Sequence, residues 1–73
     1  MTPTMLRQLW SLIETNQATL LLKLDDAILV QWLLRQLMVQ QPLSADETSA
    51  LRHYLNHRLP LIRDLAQQRL VPS

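Results

Sequence analysis

His53 and His57 stand four residues apart in RHYLNHR, the spacing at which two imidazoles on successive turns of a helix can share a metal ion. Asp46 and Ser49 fall on roughly the same side of such a helix. A zinc site of the HEXXH type also needs a general base between its histidines. Here the intervening residues are Tyr54, Leu55 and Asn56, and the chain has 2 histidines and no cysteine, so a zinc site with three protein ligands cannot be completed from histidines. The pair reads as part of a solvated polar face, or as a pH-sensitive or interfacial pair. No metal and no cofactor is expected.

Adjacent carboxylates occur at Asp25-Asp26 and Asp46-Glu47, where acid/base chemistry or magnesium binding is conceivable. Both pairs lie where helices should begin, and side-chain capping and the helix dipole already account for them. No nucleophile elbow and no serine-histidine-aspartate order is present. With 0 glycines the chain cannot build the backbone cradles of phosphate-binding loops. Enzyme activity is not expected.

Charge suggests another chemistry. Residues 1 to 50 carry Arg7, Lys23 and Arg35 against five acids, whereas residues 51 to 73 carry Arg52, Arg58, Arg63 and Arg69 against Asp64 alone. With Tyr54 and the histidines these arginines can form a basic strip for nucleic acid, since neutralising phosphates is the main sequence-independent term in such binding. The strip is thin. Arg58 falls on the apolar side of its helix, where its stem can cover leucines, and Arg63 and Asp64 partly offset one another.

The elements that position these groups are helical. Leucine is abundant and Phe and Gly are absent, which fits helix packing rather than a sheet rich in β-branched residues and tight turns. At 73 residues this is one domain, of a size that buries only about 60% of its unfolded surface. Such chains gain support from disulfides, metals or oligomerisation, and without cysteine the last is the candidate.

Residues 25 to 40, DDAILVQWLLRQLMVQ, form the central helix. Val30, Leu33, Leu34, Leu37 and Met38 make one apolar arc, and Ile28, Trp32 and Val39 make a second, with Gln31 and Arg35 between them. A surface helix needs one apolar stripe, so the second arc must meet another helix of the chain or another copy of the molecule. Asp25 is placed as N-cap, with Leu24 and Leu29 at hydrophobic-staple positions, and Pro42 ends the helix near Gln40 or Gln41. Sixteen residues span roughly 24 Å, interrupted by Gln31, Arg35 and Gln36, so a membrane span is not expected.

Before this helix, Thr2 and Pro3 open a helix over residues 3 to 15 with Leu6, Leu9, Trp10 and Ile13 at i, i+3, i+4 and i+7, widened by Met5 and Leu12. Asn16 is placed as the cap of a short helical segment through residues 18 to 23, a leucine-rich run that can also be a packed connector. After it, Ser44-Ala45-Asp46-Glu47 is a capping box opening a helix with Leu51, Tyr54, Leu55, Arg58 and Leu59 on one side. Pro60 either kinks that helix or begins a new one; a break is favoured, with Leu61, Ile62, Leu65, Ala66, Arg69 and Leu70 forming a last amphipathic helix that frays at Val71, Pro72 and Ser73.

LDDAILVQWLLRQL (residues 24 to 37) and LPLIRDLAQQRL (residues 59 to 70) resemble small, uncharacterised helical proteins of cyanobacteria. The resemblance covers roughly a third of the chain. It implies a cytoplasmic bacterial protein and brings no catalytic residue with it. The start of the chain also lacks the basic segment and long apolar run of a signal peptide.

The expectation is therefore an all-α, compact bundle of four to five short helices completed by a two-fold dimer. Its role is a non-enzymatic protein-protein interaction or adaptor module. Ile28, Trp32 and Val39 serve self-association, and Arg52, His53, Tyr54, His57 and Arg58 contact another protein partner. A small nucleic-acid-binding regulator is the alternative, and no membrane association is expected.

Overall fold

The computed structural model describes residues 2 to 70, so the fraying expected at Val71, Pro72 and Ser73 lies outside the described residues. Four helices follow one another: α1 (Pro3–Thr15), α2 (Ala18–Lys23), α3 (Asp26–Gln40) and α4 (Ala45–Leu70). The described residues form an all-α bundle without strands.

The starts of α1 and α4 are written locally. The Thr2 hydroxyl accepts the Met5 amide at 3.1 Å, with Pro3 in the first turn, where a missing N–H costs nothing. At α4 the Glu47 amide donates to the Ser44 hydroxyl (3.1 Å) and the Ser44 amide to the Glu47 carboxylate (2.9 Å), closing the capping box. The Ser44 amide, with the Ser44 hydroxyl beside it, holds the Glu47 carboxyl below its ordinary value of 4.5, because hydrogen bonds to the carboxylate favour the charged form.

Two expected caps differ. Asp25 occupies the N-cap of α3, and its carbonyl accepts the Leu29 amide at 2.7 Å, but its side chain makes no capping bond. Asn16 closes α1 instead of opening α2: its amide donates to the Leu12 carbonyl at 2.6 Å, while Gln17 takes the N-cap of α2 without a side-chain bond.

The break expected at Pro60 is also absent, and α4 runs unbroken through 26 residues with Pro60 inside. Its buried stripe is Leu51, Leu55, Leu59, Ile62 and Ala66, so the 4-4-3-4 spacing continues straight past the proline. Pro60 and Asn56 are both exposed, and the carbonyl that loses its amide partner at Pro60 belongs to the solvent side of the helix. Continuous burial on the other side outweighs the single missing bond.

At 1.5 Å per residue α4 is about 39 Å long, matching the 39 Å long axis of a 39 × 22 × 19 Å molecule. α2 and α3 pack on it. Asp26 of α3 meets Arg63 of α4, and residues further along α3, from Gln31 to Met38, line one cleft with Thr48 and Arg52 of α4. Rising numbers on α3 thus meet falling numbers on α4, and the two run antiparallel. α3 also packs on α1, and α2 packs on α4. The core is apolar throughout, with Leu9, Leu21, Leu29, Leu33, Leu37, Leu51, Leu55 and Ile62 fully buried.

Candidate functional site

Glycine is the residue that usually ends a helix, by taking a left-handed conformation that lets following amides reach the last carbonyls. This chain has none, and no described residue has positive φ. α1 and α2 instead stop at extended residues, Asn16 (ψ 156°) and Leu24 (ψ 141°), which leaves final-turn carbonyls without intrahelical donors. Arginines of α4 supply the donors. The Arg63 guanidinium donates to the carbonyls of Leu21 (3.0 Å), Leu22 (3.3 Å) and Leu24 (2.9 Å), and to the Asp26 carboxylate (2.6 Å). Arg69 donates to the carbonyls of Ile13 and Asn16. A cation at a helix C-terminus also opposes the negative end of the dipole.

These contacts bear on the basic strip. Arg63 and Arg69 are engaged within the fold, so Arg52 and Arg58 remain as its outward cations. They are six positions apart, about 120° around the helix, and do not form one patch. Arg52 faces α3 across an open cleft of about 190 Å³ lined by Gln31, Leu34, Arg35, Met38, Thr48 and Arg52. The Arg58 guanidinium carbon lies 5.2 Å from the centroid of the Tyr54 ring, within cation–π range.

Tyr54, expected as a partner contact, is half-buried, and its hydroxyl accepts from the Trp10 indole N–H at 2.9 Å. That bond ties α1 to α4 and gives both rings a structural role. His53 and His57 are exposed, with ring centroids 4.5 Å apart in an edge-to-face arrangement. No group of three or more histidine, cysteine or acidic side chains that could hold a metal ion occurs among the described residues. The five residues expected to contact a partner therefore occupy three separate parts of the α4 surface.

The second arc of α3 is where the structure leaves apolar surface open. Ile28 is 52% and Val39 80% exposed. Trp32, between them, is half-buried and packs part of its ring against the core. Arg35, at a neighbouring position on this side, is exposed. The first arc differs in one member: Val30, Leu33, Leu34 and Leu37 are buried with Leu29, whereas Met38 is 43% exposed at the cleft. Met38 is 180° from Leu29 on the helix wheel, too far round to reach the interior.

A second exposed apolar stripe was not legible in the spacing. Of the residues expected to form the inner face of a separate last helix, Ile62 and Ala66 are buried while Leu61, Leu65 and Leu70 are exposed. Leu61 and Leu65 lie one turn apart on the same side of α4 as Tyr54.

None of the described helices is long and apolar enough to cross a membrane. Comparison with models of known protein families, with curated proteins and with solved structures finds no match to this chain.

Proposed function

We propose that this chain is a non-enzymatic protein-protein interaction module that pairs with a second copy of itself through the outer face of α3, leaving the polar surface of α4 for another protein. The observation that carries this reading is the exposure of Ile28 and Val39 on either side of Trp32, on a helix whose opposite side already fills the core. A helix that presents apolar residues on both sides has a second surface to cover, and small domains commonly find their missing burial in a partner. The setting proposed for that pairing is the bacterial cytoplasm.

The molar mass in solution, measured by light scattering at two concentrations a hundredfold apart, tests it. The expected result is a dimer at the higher concentration that Val39→Asp converts to a monomer with an unchanged circular dichroism spectrum, since an 80% exposed side chain is not needed for folding. A wild-type monomer at both concentrations overturns the reading.

A further inference from the structure

Ile28, Trp32, Arg35 and Val39 lie along the outer face of α3 at spacings of four, three and four. This order reads the same from either end. A two-fold axis perpendicular to the helix, passing midway between residues 33 and 34, carries 28 onto the level of 39 and 32 onto the level of 35. The spacing is also that of alternating d and a positions of a coiled coil. Parallel pairs place like positions opposite one another, whereas antiparallel pairs place a opposite d.

The two arrangements differ in what they do with Arg35. In a parallel pair it faces the partner's Arg35, two like charges brought together while losing water. Among the described residues Arg35 has no carboxylate within ion-pair distance, and the cleft it lines holds a second cation, Arg52, and no acid, so nothing nearby offsets that repulsion. In an antiparallel pair the guanidinium meets the partner's Trp32, whose ring is packed on the core on one side and is the aromatic face best suited to a cation. The contact is made twice, once in each direction. Ile28 then meets the partner's Val39 at both ends.

We infer that the occupant of this face is a second copy of the chain, lying antiparallel, with Ile28 against the partner's Val39 and Arg35 over the partner's Trp32. The inference rests on the self-association proposed above and adds its direction and register. Only four positions of one helix meet along this seam, fewer than the roughly 20 to 30 residues a side of a standard interface, so the association is reversible with concentration.

The absence of cysteine makes disulfide trapping clean. Ile28→Cys and Val39→Cys are prepared separately, one carrying a mass tag, and oxidised alone and as an equal mixture at a concentration where light scattering shows the dimer. In the antiparallel register the mixture yields the tagged-untagged cross-link. Either variant alone yields little, because identical positions lie about 16 Å apart along the axis against the 4.4 to 6.8 Å between α-carbons that a disulfide tolerates. Arg35→Gln should weaken association about tenfold, whereas in a parallel pair it would strengthen it by removing repulsion. Cross-linking of each variant with itself, no cross-link in any mixture of a proven dimer, or tighter association of Arg35→Gln overturns the register while leaving the self-association standing. A wild-type monomer by light scattering overturns both.

Discussion

Arg63 shows what one side chain can hold together. It touches the end of α2, the turn that follows and the first residue of α3 from a position in the C-terminal half of α4. Its two kinds of contact are unequal. Asp26 is 69% exposed at its side chain, and ion pairs of that kind contribute about 0 to 1 kcal/mol. The carbonyls of Leu21, Leu22 and Leu24 would otherwise lack protein donors where helix α2 ends against α4, and charge-assisted bonds to such acceptors weigh more. Arg63→Met, which keeps the stem and removes the donors, should therefore cost about 2 kcal/mol in urea unfolding, and Asp26→Asn less than about 1 kcal/mol. Equal losses would mean that the ion pair dominates. The same contrast explains what could be read from sequence at this scale. Thr2 and the Ser44-Glu47 box were legible because donor and acceptor are three residues apart. Arg63 and Arg69 were not, because their acceptors are 37 to 56 residues away and only the folded chain brings them close; the lack of glycine was the one available sign that helix ends would need another donor.

α4 is the element on which local rule and tertiary packing disagree. A proline inside a helix removes a hydrogen bond and crowds the carbonyl four residues back, and on that ground a break before Leu61 was the expectation. The structure shows one helix because the five buried positions from Leu51 to Ala66 form a single stripe that two independently oriented helices would have to rebuild. Local propensity is a weak prior beside that much burial. The cost of Pro60 is still present in the folded state, and it falls at an exposed position. Pro60→Ala should restore the bond from residue 60 to the Asn56 carbonyl and raise stability by roughly 1 to 3 kcal/mol, read as a higher urea midpoint with an unchanged slope. A loss of stability would mean that a bend at Pro60 is needed to seat Ile62 and Ala66 over the rest of the core. The misplaced break also explains the misplaced inner face of the final segment. Taken as an independent helix, residues 61 to 70 offer Leu61, Leu65 and Leu70 as readily as Ile62 and Ala66, and only continuity with Leu55 and Leu59 decides which pair turns inward.

For the whole molecule the decisive quantity is how much apolar surface one chain leaves uncovered. The two arcs of α3 were visible in its periodicity, and the first lies in the core, apart from Met38. The extent to which α1 and α4 would cover the second could not be read, because that depends on where neighbouring helices cross and not on α3 itself. The structure puts Ile28 and Val39 outside that cover. If a second copy supplies it, folding and association are linked, and stability must depend on chain concentration. Raising the concentration from near the dissociation constant to a hundredfold above it adds on the order of 2.7 kcal/mol per dimer, shared by two chains. For a domain of this size that moves the melting temperature upward by roughly 5 to 10 °C. Val39→Asp should melt at one temperature whatever its concentration, near the value the wild-type chain approaches on dilution, because the substitution touches the seam and not the core. A wild-type melting temperature that stays constant across the same range would place the outer face of α3 in the monomer's ordinary surface, where single exposed apolar side chains are common and need no partner.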